Sequence, residues 1–273
     1  MRDEQVSVRR SSAVGQRFWT IGLVLIALLT ACAPRSIQPD GVKKAEHLSA
    51  KALELFEAGR FDEAIPLAQE ALTIRKTVLG PRHPDTATTL DNLAQLYKKT
   101  GVYTRAHPLL EEALAIRREV LGTYHRTTVS SLNNLAQLYL EIGAYTQARL
   151  LYDEALAIRK IAQGPRHPDT AESLTNLAEV YFKTEAYPQA QPLLEEALAI
   201  RKAVQGPRHP ETAASLTELG AFYYQTGAYG QAQPLLEEAL AIRKAVLGPR
   251  HPETATSLTE LGAFYYQTGA YGQ

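Results

Sequence analysis

The stretch 197–248, ALAIRKAVQGPRHPETAASLTELGAFYYQTGAYGQAQPLLEEALAIRKAVLG, opens and closes on the same phrase. ALAIRKAV starts at Ala197 and again at Ala239, 42 residues later. Upstream, ALTIRKTVLG starts at Ala71, ALAIRREVLG at Ala113 and ALAIRKIAQG at Ala155, always at that step. A fixed period of this length marks a solenoid or a propeller, in which each unit buries its apolar face on its neighbours. The spacing inside one unit decides between them. Leu90, Leu93, Ala94 and Tyr97 fall at i, i+3, i+4 and i+7, one face of a helix. Ala106, Leu109, Leu110, Ala113 and Leu114 do the same for a second helix. No stretch alternates with period two, which removes the propeller. The expected fold is an all-α solenoid of antiparallel helix pairs.

The turns carry matching chemistry. Gly101 separates the two helices of its unit, where a left-handed residue would end the first. Gly-Pro-Arg-His-Pro-Asp/Glu-Thr recurs at Gly80, Gly164, Gly206 and Gly248, and becomes Gly122-Thr-Tyr-His-Arg once. The prolines after histidine (Pro84, Pro168, Pro210, Pro252) suit a first helical position, where a missing N–H costs nothing. The acids after them sit at the positive end of the helix dipole. Pro108, Pro192 and Pro234 are expected in the first turn of the second helices, where proline is tolerated.

Leu216-x-x-Leu219-Gly220-x-x-Tyr223, then Ala232-x-x-x-Leu236, then Ala239, resembles the tetratricopeptide signature. The 42-residue step, LNNLA at 132–136, the ALAIR phrase and the LGPRHP turn resemble the long-helix subtype of kinesin light chains. A HEAT-type array shares the period but not this pattern. The resemblance spans about residues 44–273, some five and a half repeats, and implies a right-handed superhelix. Lys51 and Glu54 replace apolar residues in the first repeat, which makes its first helix a solvated cap. Glu185 stands where other repeats have the linker glycine, at some cost in stability. Residues 209–231 and 251–273 differ only at Ala214/Thr256, and the sequence ends at Gln273, inside the sixth repeat. A truncated or regulatory portion of a larger enzyme or signalling protein is therefore an alternative reading.

Residues 1–31 read as a signal peptide. Arg2, Arg9, Arg10 and Arg17 precede the apolar run FWTIGLVLIALL at 18–29, which is too short to span a bilayer as a helix. Leu29-Thr30-Ala31-Cys32 resembles the bacterial lipobox, which implies lipidation of Cys32, the single cysteine. Residues 32–43 would follow as lipidated cysteine and flexible tether, given two prolines, a glycine and no helical period. The resulting localisation is the bacterial envelope, periplasm-facing and anchored to a membrane. Ala33 in place of the retention aspartate favours the outer one.

Lys+Arg and Asp+Glu both number 29, so no basic excess points to nucleic acid. No phosphate-cradling glycine loop or nucleophile elbow occurs, and neither an enzyme nor a cofactor is expected. His83, His125, His167, His209 and His251 recur one per repeat. Stacked units would hold them roughly 10 Å apart, too far to share one ion, so no metal is expected.

A binding surface is the better expectation. Helical rotation turns Thr88, Asn92, Gln95 and Lys99 away from the core stripe. Their equivalents are Ser130, Asn134, Gln137 and Glu141, then Glu172, Asn176, Glu179 and Lys183, then Ala214, Glu218, Ala221 and Gln225. The tetratricopeptide resemblance implies that this side lines a concave groove. The kinesin-light-chain resemblance implies that Asn92, Asn134 and Asn176 hold a peptide backbone there, since an amide donates and accepts at once. Glu218 and Glu260 replace the asparagine in the last repeats. A second row, Lys98, Leu140, Phe182, Tyr224 and Tyr266, offers apolar anchors or, equally, packing between repeats. The functional expectation is a membrane-tethered scaffold that binds a protein or peptide segment. Self-association through the C-terminal end is a third reading.

Overall fold

A computed structural model describes residues 39–269 of the chain. The residues read as a signal peptide, Cys32 and the start of the expected tether lie outside the described residues. Among the described residues there are eleven helices and no strand. First helices are α1 (Pro39–Glu57), α3 (Pro84–Lys99), α5 (Arg126–Glu141), α7 (Pro168–Lys183), α9 (Pro210–Gln225) and α11 (Pro252–Thr268). Second helices are α2 (Phe61–Val78), α4 (Tyr103–Val120), α6 (Tyr145–Ala162), α8 (Tyr187–Val204) and α10 (Tyr229–Val246). Each helix packs on the one before and the one after it. The array is the helical-pair solenoid expected from the period.

Two caps explain why the helices begin and end where they do. Each first helix from α3 onward has a histidine as its N-cap in extended conformation, φ −76° and ψ 141° at His83. The His83 Nδ1 accepts the Asp85 backbone N–H at 3.1 Å, and His125, His167, His209 and His251 repeat the bond. This satisfies one of the amides that a helix start leaves open. At the other end of α3, Gly101 takes φ +73°, its N–H donates to the Lys98 carbonyl and the Val102 N–H to the Tyr97 carbonyl. That pair of bonds is a Schellman cap, which needs a left-handed residue. Glu185 holds the same place after α7 with φ +58°, the one non-glycine with positive φ among the described residues.

Two sequence expectations need correction. Residues 39–43 are the first turn of α1, not tether. Pro39 and Asp40 are good first-turn residues, and a Cβ on Gly41 would stand 2.9 Å from Val78 of α2, so this turn is packed. Pro108, Pro192 and Pro234 are the sixth residues of α4, α8 and α10, one turn further in than expected. These helices start on a tyrosine ahead of the first apolar residue. All three prolines are exposed, so the carbonyl each leaves unbonded faces water.

The core is a continuous stripe of Leu, Ala and Tyr shared between successive hairpins. In α1, Ala45, Leu48 and Ala52 are buried while Lys51 and Glu54 are exposed, as befits a cap. At the other end Leu258 of α11 is 45% exposed, whereas Leu90, Leu132, Leu174 and Leu216 at the same repeat position are fully buried.

Candidate functional site

The side chains turned away from the core stripe form one face along α3, α5, α7 and α9. Asn92 is exposed on it, and Asn134 and Asn176 are half-buried. Three hollows indent this face. One lies over α1 and α3 and includes Asn92 and Gln95, in a volume of about 140 Å³. One, about 510 Å³ and polar, lies over α3 and α5 among Gln95, Lys98, Lys99, Asn134, Gln137 and Glu141. The third, about 260 Å³, lies over α7 and α9 and includes Phe182, Phe222, Glu179 and Glu218.

Asn134 is not an idle amide. It stands beside the Asp91 carboxyl of the preceding repeat and favours its charged form. Asp91 is buried and ion-paired with the buried Arg117. Burial pushes the Asp91 carboxyl above its ordinary range, and Arg117 and the Asn134 amide only partly oppose this. Glu218, in the asparagine position of α9, reaches back instead. Its Oε2 accepts from Thr175 Oγ1 at 3.2 Å and from Arg201 Nη1 at 3.4 Å. Burial pushes Glu179, Glu218 and Glu260 upward as well.

The second row is mainly the wall of the face rather than its surface. Lys98 is buried, with Nζ 3.1 Å from Glu141. Leu140 is buried too. Phe182 stacks edge-on against Phe222 of the next repeat, with centroids 6.0 Å apart, and packs at a tilt on Tyr187. Tyr224 packs on Phe264 and Tyr229, and its hydroxyl bonds Gln267. Tyr266 is 73% exposed. Packing between repeats thus accounts for Lys98, Leu140, Phe182 and Tyr224, though Lys98 and Phe182 also line hollows.

The sequence reading passed over one element. The arginine of each ALAIR phrase lies between hairpins, buried at Arg117, Arg159, Arg201 and Arg243 and half-buried at Arg75. Its Nη1 donates to the hydroxyl 14 residues on: Thr89, Ser131, Ser173, Ser215 or Ser257. This spine fixes how one hairpin sits on the next. The spacing of Arg to Ser/Thr, kept in five repeats, was the available signal.

Comparison with known proteins agrees with this geometry. The tetratricopeptide repeat family model matches residues 43–119, 99–161, 127–203, 169–245 and 211–273. A Podosopora anserina protein of nearly identical TPR-like repeats, named as a kinesin light chain, is 27% identical with a TM-score of 0.67, over 77% of this chain and 99% of that one. BtubC (BKLC) from P. vanneervenii is 28% identical with a TM-score of 0.65, over 78% of this chain and 84% of that one. A signal-transduction ATPase from Pyrococcus horikoshii with a tetratricopeptide sensor shares the fold at 18% identity and a TM-score of 0.63, over 89% of this chain and 36% of that one. No curated protein matches the chain. Matches running without a gap from residue 43 to residue 273 make the conclusion direct: the chain belongs to the tetratricopeptide repeat family, and its solved likenesses include kinesin-light-chain-like members.

Proposed function

We propose that the chain is a non-catalytic scaffold that holds an extended segment of a protein partner along its first helices. One observation carries the reading: Asn92, Asn134 and Asn176 recur at one helical position and lie on or beside the indented face, away from the core stripe. Packing between repeats engages Asn134 beside Asp91, whereas a peptide backbone offers donors and acceptors to all three amides. Panning a random peptide library against the chain tests this. Retained peptides should lose binding on Asn92→Ala/Asn176→Ala with the melting temperature unchanged within about 0.5 kcal/mol of stability. Full binding by that variant would overturn the groove. Asn134 is left out because its loss would also remove a polar neighbour that favours the charged form of the buried Asp91.

Tethering is part of the same proposal. Leu29-Thr30-Ala31-Cys32 supports a lipid on Cys32 and a place on a bacterial envelope membrane, facing the periplasm. Among the described residues no helix is long and apolar enough to cross a membrane. Metabolic fatty-acid labelling should mark the chain and spare Cys32→Ala; equal labelling of both would remove the anchor.

A further inference from the structure

The hollow over α7 and α9 differs from the others in what it offers. Phe182 and Phe222 wall it with edge-to-face rings, and Ala178 and Leu194 add apolar surface. Glu179 and Glu218 bring two carboxylates to the same space. Each is only partly answered from within the chain. Glu218 has Thr175 and, at 3.4 Å, the edge of Arg201, a guanidinium already donating to Ser215 at 2.5 Å. Glu179 has the Lys183 ammonium one turn along its own helix, with Glu141 acting against it. Glu218 is half-buried and Glu179 stands exposed at the rim, and desolvation pushes both carboxyl groups upward despite these cations.

The equivalent place over α3 and α5 shows how this architecture holds a cation. Phe182 corresponds to Lys98, whose side chain is 7% exposed and ion-paired with Glu141 at 3.1 Å. There the chain supplies its own ammonium to the wall. Over α7 and α9 the lysine is replaced by an aromatic ring, while carboxylates line the space.

We propose that this hollow takes the side chain of an arginine or lysine carried by the bound segment, its stem against Phe182 and Phe222 and its head between Glu179 and Glu218. The proposal rests on the groove reading above. A volume of about 260 Å³ admits one long side chain with water about its head. The apolar walls suit the methylene stem, the ring faces attract a cation, and charge-assisted hydrogen bonds complete the two carboxylates. An aliphatic side chain would fill the space and leave the carboxylates with Arg201 and Lys183 alone, and an acidic one would add a third negative charge.

The test uses peptides selected on the full chain whose binding is lost in Asn92→Ala/Asn176→Ala. Those peptides should share one basic position. Replacing that arginine by citrulline, which keeps the shape and removes the charge, should weaken binding at least tenfold. Glu179→Gln and Glu218→Gln should each weaken the arginine peptide about fivefold and leave the citrulline peptide unchanged. The citrulline arm leaves the protein untouched, so its result does not depend on variant folding. Groove-dependent peptides without a shared basic residue, or equal binding of arginine and citrulline forms, would overturn the proposal and leave the groove standing. Recovery of no groove-dependent peptide would overturn both.

Discussion

The junction of α3 with α5 and the junction of α7 with α9 are built on one backbone plan and furnished differently. In the first, Asp91 and Arg117 form a buried ion pair, Asn134 leans on Asp91, and Lys98 pairs with Glu141. In the second, Thr175 stands in place of Asp91, Glu218 in place of Asn134 and Phe182 in place of Lys98. The glycine linkers aside, the residues that set the backbone hardly change: histidine cap, Leu/Ala stripe and spine arginine. Side chains of the first-helix face are therefore free to vary under a fixed frame, the condition for tuning recognition without refolding the array.

The sharpest way to break this comparison is to remove one acid from each junction. Asp91→Ala leaves Arg117 buried beside the Ser131 and Thr88 hydroxyls alone. Losing one partner of a buried pair costs about 3–5 kcal/mol. Glu218→Ala should cost about 1 kcal/mol or less, because that carboxylate is 36% exposed and its contact with Arg201 is long. Hydrogen exchange should accelerate across α3–α5 in the first variant and barely change in α7–α9 in the second. Equal effects would mean that the spine is uniform and the two junctions differ only on the surface.

A smaller contrast comes from pH. Burial raises Glu218 and Glu260 in the folded chain. A carboxyl raised on folding binds more protons folded than unfolded across the window between its two values. Its contribution is thus most favourable below the unfolded value, near 4, and is lost as pH rises through the folded one. Glu218→Gln/Glu260→Gln should therefore shrink the fall in melting temperature between pH 4 and pH 6.5 relative to the parent chain. An unchanged profile would show that these carboxylates are hydrated in solution.

The frame was legible in the sequence because it is local and periodic. Leu90, Leu93, Ala94 and Tyr97 announce a helix face by spacing, and Gly101 or Pro84 announces an end by backbone chemistry. What escaped depends on neighbours in space. The burial of Lys98 is decided by Glu141, a full repeat away, and the role of Arg117 by Ser131 on the next hairpin. Helical rotation turns Asn92, Asn134 and Asn176 alike away from the core stripe, yet could not show that Asn134 stands beside Asp91 of the preceding repeat. Helix starts at Pro39 and Tyr103 were missed because polar first turns carry no apolar period.

The smallest expected effect lies in the linkers, where one repeat departs from its neighbours. Gly101, Gly143 and Gly227 follow their first helices with φ between +73° and +80°. Glu185 is held at φ +58° by the same bonds, its N–H donating to the Phe182 carbonyl and the Ala186 N–H to the Tyr181 carbonyl. A residue with a Cβ gives up about 1–2 kcal/mol in this conformation. Glycine avoids that strain but loses more chain entropy on folding, roughly 0.5–1 kcal/mol. Glu185→Gly should then stabilise the chain by about 0.5–1 kcal/mol, read as a modest rise in melting temperature. Gly143→Glu should lower it by a similar amount, because a Cβ there meets open space and only the backbone term changes. If Glu185→Gly were neutral or destabilising, the glutamate side chain would be supplying an interaction that offsets its strain. The linker of the fourth repeat would then be a feature of the α7–α9 junction, not a tolerated lapse in the repeat.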